Sequence, residues 1–202
     1  IDRVPIKSNA FETSTDSGLR LPAGFSNEAR FYHAELVLAL EYLHKTCSIA
    51  YRDLKLSNVV LDAEGHVKLV DFGCAKHLRP GERTYTVCGT PKYMAPEVIQ
   101  GQGHGMEADI WSLGICLYRM LERKFPFQPV GKKQANSAEK IFGKILKAEP
   151  AFSKGGHSHG FVVVPAQTQD YIRGLLAKEP SSRRGCTGPD GISALKAEPF
   201  YE

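Results

Sequence analysis

Three side chains suited to phosphate chemistry lie in the segment 51–73, which reads YRDLKLSNVVLDAEGHVKLVDFG. They are the carboxylates of Asp53 and Asp71 and the carboxamide of Asn58. Their oxygens are hard ligands of the kind that Mg²⁺ prefers, and protein-bound Mg²⁺ usually also binds substrate phosphates. Asn58 and Asp71 are therefore the predicted metal ligands. Asp53 is placed to accept the proton of a hydroxyl that attacks the phosphate.

A β-hairpin is predicted between the two metal ligands. Residues 59–61 and 66–70 have the composition of strands, and the intervening sequence DAEG supplies turn residues. Because a hairpin returns the chain to its starting point, we expect Asp71 to lie beside Asn58. The hairpin would then place both ligands at one site.

Short motifs in and after this segment resemble those of protein kinases. YRD at 51–53 followed by Asn58 resembles the catalytic loop, with Tyr where His is commoner. DFG at 71–73 and APE at 95–97 resemble the motifs of those names. The sequences YRDLK and CGTP (88–91) are most similar to the AGC group, which includes the cyclic-nucleotide-dependent kinases. The chain thus resembles an AGC-type serine/threonine kinase.

The resemblance implies phosphoryl transfer from ATP to a protein hydroxyl, with Mg²⁺ as cofactor. Asp53 would orient the hydroxyl and accept its proton, and Lys55 would steady the γ-phosphate. Asn58 and Asp71 would hold Mg²⁺. Thr90 would hold Asp53 and Lys55 in place, and the presence of Lys55 and Thr90 is the pattern of serine/threonine rather than tyrosine kinases.

Two further assignments from the resemblance concern ATP contacts and have ordinary alternatives. Val60 would form the floor under the adenine, and the alternative is a plain core residue. Lys55 would contact the γ-phosphate, and the alternative is a surface lysine. The motif context favours the ATP-binding reading for both.

Three residues would support the site structurally in such a kinase. Asp109, near the start of an apolar helix, would hold the backbone of the catalytic loop; otherwise it only offsets the dipole of that helix. Arg183 would form a buried ion pair with Glu97. The alternatives are an exposed Arg183, or Arg184 as the partner of Glu97.

Thr86 matches the phosphorylated threonine of the AGC activation segment. Arg52 and Lys76 supply two cations that could converge on a phosphate there, and such clusters can order a loop. The resemblance therefore implies an upstream activating kinase as a partner. Thr84 and Tyr85 are alternative sites, and an unmodified surface threonine is the ordinary alternative.

The substrate-binding positions depart from the resemblance. AGC kinases that prefer arginines two and three residues before the phosphosite bind them with acids at three positions. This chain has Ser57, Lys92 and Arg119 there. Because every negative charge is lost and two positions become positive, we expect no strong preference for basic substrates. The alternative is that Lys92 and Arg119 are solvated and that another acid, such as Glu122, takes over.

Length and composition limit the remaining possibilities. The chain has 202 residues, 42% of them hydrophobic, which is enough for the core of one large domain or part of one. A net charge of +4 with scattered cations does not indicate nucleic-acid binding. Five cysteines without close pairing favour reduced thiols and a cytoplasmic or nuclear protein. No apolar run approaches the ~20 residues of a membrane span. The first residue, Ile1, hints at a fragment.

The expected fold is mainly α-helical with a small β-hairpin, as in the large lobe of the α+β protein-kinase fold. Residues 26–202 would form this lobe, whereas residues 1–25 are predicted to be loop or disordered. Nothing in the chain resembles the small lobe with its glycine-rich loop and lysine-bearing strand. Apolar patterns predict helices over residues 26–45, 107–121, 137–148, 166–177 and 191–197. The first of these helices is expected to be buried on most sides, with His44 as a packing or surface residue, and residues 73–83 are expected to be loop.

Three functions follow from these observations. The first is an active serine/threonine kinase, of which this chain is the large-lobe portion. The second is a kinase-like binding or scaffold protein without catalysis, because the small lobe is missing. The third is a metal-dependent hydrolase built on Asp53, Asn58 and Asp71, for which no nucleophile is visible. The retention of these residues together with Lys55 favours the first.

Overall fold

The structure is a computed structural model that describes residues 25–128, 137–153 and 163–202. Apart from Phe25, the predicted unstructured segment 1–25 lies outside these ranges. The α-helices are α1 (Phe25–Glu41), α2 (Pro96–Ile99), α3 (Glu107–Glu122), α4 (Ala138–Lys147) and α5 (Ala166–Leu175). The strands are β1 (Ile49–Ala50), β2 (Val59–Leu61), β3 (Val67–Leu69) and β4 (Lys76–His77). A π-helical turn covers Tyr42–Thr46, and 3-10 helices cover Leu56–Asn58, Pro91–Tyr93, Pro180–Ser182, Gly191–Ala197 and Pro199–Tyr201. The predicted mainly helical fold with a small β part is confirmed.

Helix α3 is the centre of the core. Its residues from Ala108 to Tyr118 are all buried, as expected for a helix that is apolar on nearly every face. Helices α1 and α5 both pack against it. The approach of α5 requires Gly114, because a Cβ atom there would lie 2.9 Å from Leu175 Cβ.

Helix α1 is buried on one side only. Leu36 and Leu40 are fully buried, but Phe31, Leu38 and Tyr42 are 45%, 53% and 61% exposed. The sequence interpretation of a helix buried on most sides was therefore wrong. The physical reason is that α1 packs on α3, on Gly191–Ala197 and on β3, and these contacts leave Phe31 and Leu38 largely exposed.

The strands form two separate antiparallel pairs. Strands β2 and β3 make the predicted hairpin, with Val59 opposite Leu69 and Leu61 opposite Val67. Strands β1 and β4 form a second pair, with Ala50 opposite Lys76. Residues 73–83 were expected to be loop, so this pair corrects the prediction. A two-residue strand has no periodicity to detect, because it exists only through pairing with a partner distant in sequence.

The helix boundaries differ from the predicted ones by a few residues. The last turn of the first predicted helix is π-helical rather than α-helical, and α5 ends at Leu175 instead of residue 177. The predicted helix over 191–197 is a 3-10 helix. None of the helices in the described ranges is long and apolar enough to span a membrane.

A buried histidine joins α1 to the C-terminal residues. His33 is fully buried, and its Nδ1 atom lies 2.7 Å from the Tyr201 hydroxyl. Its ring also makes edge contacts with Tyr171 and Phe200. Burial lowers the pKa of His33 to about 3, because the charged imidazolium would lose its hydration.

We expect His33 to make the protein sensitive to acid. Between the ordinary pKa of about 6.5 and the folded pKa of about 3, the unfolded chain binds a proton that the folded chain excludes. The free energy of unfolding should therefore fall as pH falls below 6.5, by up to ~1.4 kcal/mol per pH unit from this group. Urea unfolding of the wild type and His33→Gln between pH 4.5 and 7 measures the difference in slope.

His66 provides a control of opposite sign. Its hydrogen bond to Glu35 raises its pKa, so its contribution to stability is present below pH 6.5 and is lost as pH rises. His66→Gln should leave the acid-side slope below pH 6.5 nearly unchanged and alter the slope only above that pH, whereas His33→Gln should make the acid-side slope shallower. Equal slopes for the wild type and His33→Gln would contradict the prediction.

Candidate active site

Asp53, Lys55 and Thr90 form a closed triangle of hydrogen bonds. The Thr90 hydroxyl donates to Asp53 Oδ1 at 2.8 Å, and Lys55 Nζ donates to Asp53 Oδ2 at 2.7 Å. Lys55 Nζ also donates to Thr90 Oγ1 at 3.1 Å. Asp53 is 8% exposed, so its carboxylate is held in one orientation within a largely enclosed site. The contacts place Thr90 where the resemblance predicted it.

Asn58 is oriented by the backbone and carboxylate of Asp53. Its Nδ2 donates to the Asp53 carbonyl oxygen at 3.0 Å and to Asp53 Oδ2 at 3.3 Å. Because both of these hydrogen bonds use the amino group of Asn58, its Oδ1 atom is the one suited to contact a cation. Val70 N donates to the Asn58 carbonyl oxygen at 3.0 Å, which brings the residue before Asp71 directly alongside Asn58.

Asp71 lies at the end of the hairpin in a left-handed backbone conformation, with φ of 64°. Such a conformation is uncommon for a residue with a side chain, although Asp adopts it more readily than most, and residues of this kind cluster at functional sites. Its carboxylate is exposed, and Oδ1 accepts a hydrogen bond from Gly73 N at 3.2 Å. The remaining oxygen of an exposed carboxylate is suited to a hard cation.

The donor set fits Mg²⁺ bound with a phosphate substrate better than a metal held by protein alone. No group of three or more His, Cys, Asp or Glu side chains in the described part of the chain could hold a metal ion. Mg²⁺ typically takes one or two protein oxygens and completes its octahedron with water and substrate phosphates. Asn58 and Asp71 supply two such oxygens.

Asp109 connects the catalytic loop to the core helix. It is fully buried on α3 and accepts hydrogen bonds from Tyr51 N at 2.8 Å and Arg52 N at 2.7 Å. His44 Nε2 lies 2.8 Å from Asp109 Oδ2. Arg52 has a φ of 68°, and the bond from its amide to Asp109 holds this strained turn. The contacts go beyond a helix-dipole role for Asp109.

Val60 lies on strand β2 opposite Lys68 and is partly buried. Two hydrophobic side chains that follow strand β3, Val70 and Phe72, are 38% and 47% exposed. The role of Val60 beneath an adenine stays a prediction.

Gly89 allows the activation segment to approach the catalytic loop. Its φ is 102°, and a Cβ atom there would lie 2.6 Å from the Arg52 carbonyl oxygen. A side chain at this position would push the segment away and separate Thr90 from Asp53. Farther back in the segment, Thr84 pairs with His104 through two backbone hydrogen bonds of 2.8 and 2.9 Å.

Thr86 is exposed, and one of its two predicted cations is near it. Arg52 Nη1 lies 3.5 Å from the Thr86 carbonyl oxygen, while Arg52 Nε donates to the Cys74 carbonyl oxygen at 2.6 Å. Lys76 Nζ instead donates to Thr84 Oγ1 at 3.0 Å. Thr84 is 2% exposed, which makes it a poor target for modification in this conformation.

Arg183 and Glu97 form a buried bidentate ion pair. Arg183 Nη1 and Nη2 donate to the two carboxylate oxygens of Glu97 at 2.8 and 2.9 Å, and the side chains are 0% and 2% exposed. Arg183 also donates to the carbonyl oxygens of Glu107 and Ala177. Arg184, the alternative partner in the sequence analysis, pairs with other carboxylates at the surface.

Sequence reasoning missed two contributors to the site. His44 was interpreted as a packing or surface residue, yet it contacts Asp109 and is 8% exposed. Tyr51 donates its hydroxyl to the Val70 carbonyl oxygen and meets the Phe72 ring edge-on at 5.2 Å. Burial raises the pKa of Tyr51 well above its usual value, so the hydroxyl keeps its proton. The only available signal was that Tyr51 is the first residue of the YRD motif.

The fold and this site define a protein kinase catalytic lobe, and the profile of the protein kinase domain family matches residues 19–199. The chain therefore belongs to the protein kinase family.

The relatives agree with the AGC resemblance. The chain is 43% identical over 178 residues to ribosomal protein S6 kinase alpha-4 of Mus musculus, a match that covers 87% of this chain and 22% of that protein. It is 38% identical over 187 residues to atypical protein kinase C of Drosophila melanogaster, covering 91% and 29%. It is 39% identical over 178 residues to protein kinase C zeta type of Oryctolagus cuniculus, covering 86% and 28%. The chain thus spans less than a third of the length of these relatives.

Proposed function

We propose that this chain is the large lobe of a serine/threonine protein kinase that transfers the γ-phosphate of ATP to protein hydroxyls. The supporting observation is the triangle of Asp53, Lys55 and Thr90, with Asn58 bonded to Asp53 and Asp71 adjoining it across the hairpin. This arrangement provides a base, a phosphate-binding cation and two metal ligands at one site. The family and its relatives favour this function over a scaffold or a hydrolase.

Each residue has a distinct part in the transfer. Asp53 Oδ2 accepts the proton of the attacking hydroxyl, while Thr90 keeps the carboxylate aimed by its bond to Oδ1. Lys55 shifts from Asp53 to the γ-phosphate and offsets its charge. Asn58 and Asp71 would hold Mg²⁺. When bound, this ion neutralises negative charge on the phosphates as the bond to the leaving group breaks.

The proposal has three further parts, which concern the contact with adenine, activation by phosphorylation and the cellular compartment. Val60 on β2 contacts the adenine from below. Phosphorylation of Thr86 by an upstream kinase places negative charge beside Arg52 and so orders the segment that carries Thr90. The substrates are proteins, and the compartment is cytoplasmic or nuclear.

The test of this function is a phosphotransfer assay on two forms of the protein. One is the 202-residue chain, whose described residues include no glycine-rich phosphate loop. The other is the same chain joined to a kinase small lobe that carries such a loop and a lysine-bearing strand. We expect negligible turnover and weak Mg-ATP binding from the first, because its described residues offer no loop to cover the phosphates, and measurable phosphorylation of a serine- and threonine-containing protein by the second.

Two outcomes would contradict this expectation. Fast turnover by the 202-residue chain would show that the described site is sufficient without a small lobe. A folded two-lobe form that binds Mg-ATP but phosphorylates no serine or threonine would overturn the proposed kinase function.

A further inference from the structure

Lys92 and Arg119 form a cationic surface beside the catalytic loop. Both lie over the ring of Phe125, with Lys92 Nζ 4.8 Å and Arg119 Cζ 4.3 Å from the ring centroid. The negative charge of the ring face attracts each cation, so both positive groups are positioned by the same aromatic ring. We call these three residues the Lys92–Arg119 site.

The site carries positive charge that its surroundings do not neutralise. No Asp or Glu within residues 25–128, 137–153 and 163–202 forms an ion pair with either cation. Arg119 Nη1 donates to the Tyr93 hydroxyl at 3.1 Å, and its Nε is buried without a hydrogen-bond partner. Lys196, in contrast, pairs with Glu41 at 2.9 Å.

Glu122 cannot supply the missing negative charge. It is 3% exposed, although it lies only one turn beyond Arg119 on α3. Its carboxylate accepts hydrogen bonds from Ser153 N and Ser153 Oγ and pairs with Lys124 at 3.1 Å. The alternative in which Glu122 replaces the lost acids therefore does not fit its contacts.

The site lies close to the residues that would hold the phosphate acceptor. Tyr93 and Thr90 line one hollow together with Asp53. Lys92 follows Thr90 by two residues, so their Cα atoms are separated by at most ~7 Å. An extended peptide advances ~3.3 Å per residue, so a side chain two or three positions from the accepting hydroxyl can reach Lys92.

We propose that the Lys92–Arg119 site binds an anionic side chain of the protein substrate, a carboxylate or a phosphate, two or three residues from the accepting hydroxyl. The inference rests on the proposed kinase function, because a substrate has an accepting hydroxyl only if the protein is a kinase. The Lys92 ammonium and the Arg119 guanidinium supply charge-assisted hydrogen bonds to either anion. An arginine at the same peptide position meets two like charges and is rejected.

Peptide binding tests the site without requiring catalysis. Fluorescence anisotropy would measure the binding of labelled serine peptides to the 202-residue chain, with Ala, Glu, phosphoserine or Arg placed at each position from four before to four after the acceptor serine. We expect the Glu and phosphoserine peptides to bind about tenfold more tightly than the Ala peptide at one or two positions, and the Arg peptide more weakly.

Charge reversal identifies the residues responsible. Lys92→Glu and Arg119→Glu should each remove the preference for the anionic peptides, and Lys92→Glu should favour the Arg peptide. Lys196→Glu makes the same change of charge beside α1 and should keep the wild-type preference. Thermal unfolding of each variant checks that the fold is retained, and Lys92→Glu carries the test if Arg119→Glu is unstable. Equal binding of the Ala, Glu and phosphoserine peptides by the wild type would overturn the inference.

The two-lobe form separates this inference from the proposed function. Phosphorylation without any preference for anionic neighbours, or with a preference for arginine, would overturn the inference alone. Absence of phosphorylation of every peptide would overturn the kinase function, while anisotropy would still decide whether the site binds anions. Preference for phosphoserine over Glu would identify a substrate phosphorylated beforehand, and equal preference would identify an acidic sequence.

Discussion

Replacing Asp53 by Asn in the two-lobe form should lower kcat by ~10²–10⁴-fold, the usual contribution of a positioned general base. The substitution keeps the shape of the side chain but replaces Oδ2, the oxygen that Lys55 contacts at 2.7 Å, with an amide group that cannot accept a proton. Thr90 can still donate to Oδ1, so the activation segment should stay in place. Steady-state phosphorylation of a serine peptide at saturating Mg-ATP measures the effect.

Asp170→Asn is the matched control for Asp53→Asn. The Asp170 carboxylate is 73% exposed on α5 and pairs with Arg184, so the same chemical change there should leave kcat near the wild-type value. Asp170→Asn should unfold within a few degrees of the wild type, because its carboxylate is exposed. Asp53→Asn removes the ion pair with Lys55, so its thermal unfolding is measured to check that the fold is retained at the assay temperature. A kcat for Asp53→Asn within tenfold of the wild type would contradict the role of Asp53 as the base.

Arg183→Met should destabilise the protein by ~3–5 kcal/mol, the cost of removing one partner from a buried ion pair. The Glu97 carboxylate, which is only 2% exposed, would lose its two hydrogen bonds from Arg183. The carbonyl oxygens of Glu107 and Ala177 would also lose a donor. Urea unfolding of the 202-residue chain measures the change in the free energy of unfolding.

The neighbouring Arg184 gives the control for Arg183. It pairs with Glu198 and with the exposed Asp170, so Arg184→Met should cost only ~0–1 kcal/mol. Adding Glu97→Gln to Arg183→Met should recover part of the loss, because the buried charge left without a partner is then removed. If Arg183→Met cost no more than Arg184→Met, the pair with Glu97 would not hold these segments together.

The sequence predicted the features that depend on local pattern. The β2–β3 hairpin and helix α3 are within a residue or two of their expected bounds, because a turn flanked by strand-forming residues and an unbroken apolar helix are local signals. The contacts of Asp53 with Lys55 and Thr90 lie where the motif resemblance implied, although the triangle joins residues 35 and 37 positions apart.

The structural features that the sequence could not predict depend on contacts between residues that are distant along the chain. Strands β1 and β4 are too short to have a pattern, and they form only because the catalytic loop and the activation segment meet. Lys76 bonds to Thr84 rather than to Thr86, since the pairing of Thr84 with His104 fixes which hydroxyl comes within reach. The exposure of Leu38 could not be inferred, because apolar composition does not show which face of a helix has a neighbour.

The bonds of Asp109 also determine how the catalytic loop can open. The amide protons of Tyr51 and Arg52 are both bonded to a carboxylate that is fully buried on the central helix. Exchange of these protons with solvent requires both bonds to break, so the loop must first separate from α3. Asp71 on the hairpin has no comparable anchor to α3 among the described residues, and it can move in smaller fluctuations. The loop that carries Asp53, the proposed base, is thus tethered to the core helix, while Asp71, the proposed metal ligand, is free to adjust to a nucleotide.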